Sequence, residues 1–173
     1  MFRDVRWLKN YDLLTFESVD STNSEALRLA QKGVKSNMVI VANTQTAGRG
    51  RNGRNWFSGV GNLYMSILLK NKLPPSSYIQ LPFLIANVVR DSIMAFANDQ
   101  RRNLKIELKW PNDIFIEGKK VAGILLESIN LRAENNIIIG IGVNIEEIPE
   151  SLKERASSLS DAGISLENFG EFL

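Results

Sequence analysis

The sequence contains no cysteine and no histidine, and these two absences exclude several kinds of chemistry. A chain without cysteine forms no disulfide bonds and has no thiolate nucleophile, so nothing in it indicates an oxidising compartment. Without histidine it also lacks an imidazole base, the Ser–His nucleophile pair and the commonest zinc ligand. Any catalysis must therefore depend on lysine, arginine, carboxylate and backbone groups.

Long hydrophobic runs are also missing. No segment approaches the ~20 apolar residues of a membrane-spanning helix, and charged residues occupy the start of the chain, where a secretory signal would be apolar. The 173 residues contain no repeat or low-complexity linker, and 44% of them are hydrophobic. The sequence predicts a single cytoplasmic domain with one sizeable core, without a membrane partner and without a helix-turn-helix for DNA binding.

Acidic residues are absent from a long internal stretch. No Asp or Glu lies between Glu25 and Asp91, whereas nine basic residues do. Residues 1–90 hold twelve basic and five acidic side chains, and residues 91–173 hold nine and fourteen, which gives net charges of +7 and −5. This asymmetry favours an anionic partner for the first half of the chain.

A loop rich in arginine and glycine lies in the middle of this basic half. Residues 45–57 read QTAGRGRNGRNWF, with three arginines, three glycines and a closing tryptophan. Glycine lets the backbone approach a ligand closely, arginine binds carboxylate or phosphate, and an indole stacks on flat rings. The loop predicts a site for a ligand that carries a phosphate and a planar base, although a solvated surface loop is the alternative.

Two common nucleotide motifs do not explain this loop. Gly48, Gly50 and Gly53 match Gly-x-Gly-x-x-Gly, but a strand pattern follows them and no acidic residue occurs about 20 positions later. A P-loop is excluded because no Gly-Lys-Ser/Thr follows.

Local patterns predict an α+β fold with a mainly antiparallel, mixed sheet and helices packed on one face. Thr22 and Glu25 have the spacing of a capping box at a helix start, and Gly33 suits the helix end. A short helix after Pro149, followed by a loop and the start of another helix near Ser165, completes the predicted chain. The predicted strands are 14–17, 38–42, 62–69, 106–110, 113–116, 121–129 and 137–145, and a long helix is predicted over 78–97, after Pro74 and Pro75.

Two further segments have features that are typical of ligand sites. Lys109 precedes Trp110 and Pro111, so a rigid turn would fix its ammonium group; the alternative is an ordinary edge-strand lysine with Trp110 in the core. Gly140 and Gly142 interrupt an apolar strand, which indicates either a ligand that approaches closely or a β-bulge.

Taken together, these segments resemble the biotin protein ligase family over nearly the whole chain. The resemblance rests on residues 20–23 (DSTN), 45–56 (QTAGRGRNGRNW), 109–113 (KWPND), 121–125 (VAGIL) with Glu127, and 140–144 (GIGVN). It implies the catalytic fold of class II aminoacyl-tRNA synthetases and biotin/lipoate ligases. It also implies an ATP-dependent, AMP-forming ligase that makes biotinyl-5′-AMP and transfers biotin to a lysine of a biotin carboxyl carrier protein.

The resemblance assigns roles to residues of this sequence. Arg51 and Lys109 are the implied catalytic residues, which hold the biotin carboxylate and the α-phosphate. The implied biotin-binding residues are Ser21, Thr22, Asn23, Gln45, Arg49, Gly50, Arg51, Lys109 and Gly123. The implied ATP- and AMP-binding residues are Arg51, Arg54, Trp56, Lys109, Gly142 and Asn144.

The resemblance also sets expectations for cofactors, partners and domains. ATP and biotin are the substrates, and Mg²⁺ is expected with ATP; no metal ligand is assigned, because Asp113 fits a metal ligand and a turn cap equally well. The expected carrier is an acetyl-CoA carboxylase subunit, DNA is not an expected partner, and a homodimer is left open. Residues 1–173 are interpreted as one catalytic domain, without the DNA-binding domain of the repressor members and without the family's small C-terminal β domain.

Two other functions remain as alternatives. A lipoate or octanoate ligase or transferase shares the implied fold, although the arginine loop with Trp56 suits it less well. The loop could also bind RNA, as arginine- and glycine-rich segments do, although here it occurs once between two strands and is not repeated.

Overall fold

The computed structural model describes residues 10–71, 78–100, 103–131, 134–146 and 148–166. Two α-helices and seven β-strands form most of this part of the chain. Their order and bounds are β1 (Tyr11–Val19), α1 (Thr22–Lys32), β2 (Asn37–Gln45), β3 (Leu63–Asn71), α2 (Leu81–Asp99), β4 (Ile106–Lys109), β5 (Asp113–Ile116), β6 (Lys119–Leu131) and β7 (Glu134–Val143).

The seven strands form one mixed sheet in the order β1-β2-β3-β7-β6-β5-β4. Among the seven described strands, only the neighbours β1 and β2 pair in parallel, because α1 carries the chain from the end of β1 back to the start of β2. The other neighbouring pairs are antiparallel. The predicted α+β class and the mainly antiparallel, mixed sheet are therefore confirmed.

The two helices pack on opposite faces of this sheet, so the prediction that helices lie on one face is wrong. Val39 and Val41 of β2 belong to the core beneath α2, whereas Met38 and Ile40 belong to the core beneath α1. The reason is visible in β2, where residues 38–42 are continuously apolar and all buried. A strand of this kind needs cover on both faces, because successive side chains point to opposite sides.

The face beneath α2 holds the larger core. Ala86, Val89 and Ile93 of α2 pack there against apolar side chains of the central strands, including Ile139 and Ile141 of β7. On the other face, α1 covers only a small cluster around Ile40 and Ile138. Because α1 is short, it leaves part of this face of the sheet uncovered, and a cavity lies there.

The start of α1 differs from the predicted capping box. Ser21, not Thr22, is the N-cap, and its side chain makes no capping hydrogen bond. The Thr22 hydroxyl is instead used in tertiary contacts, because it accepts a hydrogen bond from Ser66 Oγ at 2.8 Å. The predicted helix end is confirmed, since Gly33 is left-handed with φ 79° and its N–H donates to the Ala30 carbonyl.

The other boundaries lie close to the predicted ones. The 113–116 strand is confirmed, and a turn at Glu117 and Gly118, both with positive φ, follows it. The remaining strands differ from their predicted bounds by a few residues at either end. A short 3₁₀ turn, Glu150–Leu152, follows Pro149 as predicted. Pro74, Pro75 and nearly all of the helix expected from Ser165 onward lie outside the described residues. Neither described helix is both long and apolar enough to cross a lipid bilayer.

Tyr64 of β3 gives this fold a specific dependence on alkaline pH. Burial raises the pKa of Tyr64 to about 12, against about 10 in an unfolded chain. The neutral phenol is therefore favoured in the folded protein, and its contribution to stability is complete below pH 10 and is lost as the pH rises toward 12.

We expect the free energy of unfolding to fall by about 2 to 3 kcal/mol more in the wild type than in Tyr64→Phe between pH 10 and pH 12. Urea unfolding at several pH values across this range measures the difference. Parallel pH profiles of the two proteins would contradict the expected contribution of Tyr64.

Candidate active site

A cavity of about 1030 Å³ lies on the sheet face that α1 covers only in part. Its walls come from the start of α1, the arginine loop, the turn between β4 and β5, the middle of β6, the end of β7 and residues 148–156. All of the site residues predicted from the sequence line this one cavity: Ser21, Thr22, Asn23, Gln45, Arg49, Gly50, Arg51, Arg54, Trp56, Lys109, Gly123, Gly142 and Asn144. Their location is therefore observed, whereas their individual roles remain predictions.

One end of the cavity is neutral and polar. Gln45 Oε1 accepts hydrogen bonds from the Thr22 backbone N–H at 2.8 Å and from Thr22 Oγ1 at 3.2 Å. Gln45 Nε2 donates to Ser58 Oγ at 2.9 Å. Ser21 and Thr22 are buried, so this network fixes donors and acceptors without placing a charge among them. Such a surface suits a neutral polar ring.

An ion pair between Asp20 and Arg28 supports the Ser21 backbone at this end of the cavity. Both guanidinium nitrogens of Arg28 donate to the Asp20 carboxylate, at 2.7 and 3.0 Å, and Asp20 accepts from the Ser21 backbone N–H. The hydrogen bond from Arg28 lowers the pKa of Asp20 to about 2. Asp20 therefore stays ionised at neutral pH and keeps its hydrogen bond to Ser21.

Arg49 has an acidic partner that the sequence did not reveal. It donates to both carboxylate oxygens of Glu127, at 3.0 and 3.2 Å, and to Ser24 Oγ at 2.6 Å. Glu127 also accepts from Asn23 Nδ2 at 2.7 Å. The family motif contains Glu127, but the loop lies in a stretch without acidic residues, so no carboxylate near it in sequence indicated this ion pair. Glu127 lies 78 positions away in sequence, so only the β6 pairing brings it to the loop.

Arg51 and Arg54 occupy the exposed tip of the loop. The tip is a 3₁₀ turn, Arg51–Gly53, in which Asn52 and Gly53 have φ of 57° and 70°. Arg51 donates to Asn112 Oδ1 at 3.1 Å, which links the loop to the turn after β4. The backbone N–H of Gly50 donates to the Arg54 carbonyl at 2.6 Å, which closes the turn. The side chains of Arg51 and Arg54 both line the cavity, where they can bind an anion.

Trp56 occupies the space that the glycines of β6 and β7 leave free. A Cβ at Gly142 would lie 2.7 Å from the indole ring, and a Cβ at Gly123 would lie 3.1 Å from it. The sequence left open whether a ligand or a bulge explains these glycines; the pairing of β7 through Gly140 and Gly142 is regular, so the bulge is wrong. The immediate neighbour of Gly142 is the indole, whose buried Nε1 has no hydrogen-bond partner.

Lys120 is the main functional candidate that the sequence analysis missed. Its Nζ lies 5.1 Å from the centroid of the Trp56 ring and 2.7 Å from Asp113 Oδ1. The backbone of Lys120 is fixed on both sides, because its N–H donates to Arg155 and its carbonyl accepts from Ser157. Its position directly before the 121–125 motif, at a strand start, was the available signal.

Lys109, at the end of the edge strand β4, also lines the cavity. Its Nζ lies 5.2 Å from the centroid of the Phe115 ring. Trp110 beside it is 78% exposed, so the alternative in which Trp110 is a core residue is wrong. Lys109 and Lys120 thus place two ammonium groups along one wall of the cavity.

Asn144 closes the cavity at the end of β7. Its side chain is buried and donates from Nδ2 to the Ser157 carbonyl at 3.1 Å. Its backbone N–H donates to Val121, and its carbonyl accepts from Leu159. Asn144 therefore holds residues 157–159 against the sheet.

No cluster of three or more metal-binding side chains occurs among the described residues. The cavity wall contains the carboxylates of Asp113 and Glu154, and Asp113 is already paired with Lys120. This donor set suits a magnesium ion that arrives on nucleotide phosphates and keeps most of its water, rather than an ion caged by the protein.

Comparison with solved structures gives the same fold. The chain is similar to the biotin protein ligase from Aquifex aeolicus in complex with biotin and ATP, with a TM-score of 0.74 and 34% identity, over 93% of this chain and 65% of that one. It is also similar to the biotin protein ligase from Leishmania major in complex with biotinyl-5-AMP, with a TM-score of 0.75 and 30% identity, over 93% and 70% of the two chains.

Comparison of the sequence with curated proteins also gives biotin ligases as relatives. The chain is 39% identical to the bifunctional ligase/repressor BirA of Bacillus spizizenii, over 87% of this chain and 46% of that protein. It is 38% identical to the biotin--[acetyl-CoA-carboxylase] ligase of Paracoccus denitrificans, over 76% and 54% of the two. The chain thus spans about half the length of these curated relatives. Residues 15–144 match the family model for biotin/lipoate A/B protein ligases. On these grounds the chain belongs to the biotin/lipoate A/B protein ligase family.

Proposed function

We propose that this chain activates biotin with ATP to biotinyl-5′-AMP and transfers the biotinyl group to a lysine of a biotin carboxyl carrier protein. The observation that carries the proposal is one cavity with a neutral polar end beside a strongly basic wall. Biotin has a neutral ureido ring and a carboxylate, and ATP supplies the phosphates. Solved relatives at 30 to 34% identity, which contain biotin with ATP or biotinyl-5-AMP, support the same assignment.

The neutral end suits the biotin ring. Ser21, Thr22 and Gln45 supply uncharged hydrogen-bonding groups that are held by one another and by Ser58 and Ser66. Because these groups are positioned before the ligand arrives, little ordering is needed when it binds. Asn23, Arg49 and Gly50 support this end, and we assign Gly123, against which Trp56 packs, to the biotin side of the cavity.

The basic wall suits the reacting groups. In the first step a carboxylate oxygen of biotin attacks the α-phosphorus of ATP, a new O–P bond forms, and pyrophosphate leaves. Two unit negative charges about 4 Å apart repel by about 4 kcal/mol at an effective dielectric near 20. Arg51, Lys109 and Lys120 offset this repulsion, and no proton has to be removed from biotin at neutral pH. Positioning and charge neutralisation thus suffice without histidine.

The second step uses the same cavity. The ε-amine of the acceptor lysine attacks the carbonyl carbon of the mixed anhydride, an amide bond forms, and AMP leaves. We assign Arg54 to the nucleotide phosphate, Trp56 and Asn144 to the adenine side, and Gly142 to the close approach of Trp56. Magnesium arrives with ATP as part of the substrate. We also propose a cytoplasmic location, where ATP and the carboxylase carrier would be available.

Biotin-dependent exchange of pyrophosphate into ATP tests the first step, and transfer of biotin to an apo carrier domain tests the second. We expect both reactions with biotin and much weaker ones with lipoate in the same assays. Exchange that depends on lipoate, or salt-sensitive RNA binding without any exchange, would contradict the proposed function.

Arg51→Ala should abolish adenylate formation and leave most of the biotin affinity. Arg51 projects from the exposed loop tip and bonds Asn112, away from the neutral polar end, so its loss removes charge neutralisation rather than ring contacts. We expect biotin-dependent pyrophosphate exchange to fall by at least about 100-fold, with the biotin Kd from calorimetry changed by only a few-fold. Normal exchange by Arg51→Ala would overturn this role, and Arg51→Lys serves as the charge-preserving control.

Residues 48–55 should become protected when the ligands bind. Arg49 fixes one end of this loop and Trp56 the other, whereas its tip is exposed. We expect slow hydrogen exchange at the tip only after biotin and ATP are both added, because the loop then closes over biotinyl-5′-AMP. Hydrogen exchange with mass spectrometry measures this change. Helix α2 serves as the internal reference for the exchange rates. Unchanged protection of residues 48–55 would contradict loop closure.

A further inference from the structure

Trp110 is a large aromatic side chain exposed at the rim of the active-site cavity. It is 78% exposed, and it lines the cavity together with Phe57, which is 43% exposed. Exposed apolar residues are common on protein surfaces when they are scattered singly. Two exposed aromatic rings at the mouth of one reaction cavity are a different case, because tryptophan is enriched among residues that dominate binding at interfaces.

The backbone beneath Trp110 is held firmly. Asn112 is buried, its Nδ2 donates to the Ile124 carbonyl at 2.7 Å, and its own carbonyl accepts from the Ile124 N–H at 2.9 Å. The Asn112 N–H also donates to Lys109, which closes the turn that presents Trp110. The indole is therefore displayed from a rigid turn, which lowers the entropy lost when a partner binds.

The charges around this rim indicate which partner fits. Among the residues that the structure describes, the acidic side chains on the cavity wall are Asp113, which is paired with Lys120, and Glu154. Glu127 pairs with Arg49, so the Arg49 charge is also compensated. The basic side chains on the wall are Arg49, Arg51, Arg54, Lys109, Lys120 and Arg155. Once pyrophosphate has left, biotinyl-5′-AMP carries one negative charge, so an excess of positive charge still faces the incoming acceptor. Complementary charge speeds encounter and orients the partner.

We propose that Trp110 is the docking anchor for the acceptor protein, and that it binds an apolar side chain next to the acceptor lysine on a segment with acidic flanks. This inference rests on the proposed function, because it names the surface that serves the second step. Trp110 acts on the carrier protein alone and does not bind biotin or the nucleotide.

Steady-state kinetics of Trp110→Ala separate the two steps. We expect the KM for the apo carrier domain to rise by about tenfold to thirtyfold, while biotin-dependent pyrophosphate exchange stays at the wild-type rate. Trp110→Phe should recover most of the lost affinity. Val88→Ala is the matched control, because Val88 is a 55% exposed apolar residue on α2, which packs on the opposite face of the sheet.

Two further measurements complete the test. Cleavage of preformed biotinyl-5′-AMP by hydroxylamine should proceed equally in Trp110→Ala and the wild type, because a small amine needs no docking surface. Titration of the apo carrier domain into each protein by calorimetry gives its Kd without any reaction. An unchanged KM and Kd for the carrier would overturn the proposal, as would a loss of exchange equal to the loss of transfer. Absence of exchange in the wild type would instead contradict the proposed function, and the titration would still test the docking surface.

Discussion

The cavity depends on the missing side chains of Gly140 and Gly142 on β7. A Cβ at Gly140 would lie 2.3 Å from Asn23 Oδ1, and a Cβ at Gly142 would lie 2.7 Å from the Trp56 ring. Both distances are far shorter than an ordinary van der Waals contact. The two glycines therefore let the start of α1 and the end of the arginine loop rest directly on the same strand.

The rest of the site is built from these two contacts. Asn23 bonds Glu127, and Glu127 bonds Arg49, so one end of the loop is tied to the sheet. Trp56 ties the other end, and Lys120 lies against its ring. Between the two ends, the tip with Arg51 stays exposed. A pocket for a neutral ring and an exposed cationic loop thus rest on one strand. The proposed function requires this arrangement, because ATP would have to enter and water would then have to be excluded.

The sequence predicted the parts of this arrangement that local patterns determine. The strands and α1 follow from the periodicity of apolar residues and from turn residues. The bounds of the strand at residues 113–116 were predicted correctly. The positions of the helices on opposite faces were not predicted, although the apolar run of β2 contained the evidence. The pairings Arg49 with Glu127 and Arg51 with Asn112 join residues 78 and 61 positions apart. No local pattern can reveal such pairs, because strand order alone decides which residues meet.

Calorimetric titration of biotin and of ATP into Gly140→Ala and Gly142→Ala tests this account most directly. Gly140→Ala displaces Asn23 at the neutral end, so we predict a biotin Kd at least about tenfold weaker with little change for ATP. Gly142→Ala displaces Trp56, so we predict an ATP Kd at least about tenfold weaker with little change for biotin. Equal affinities for both ligands in the wild type and in both folded variants would contradict the claim that these two glycines organise the site.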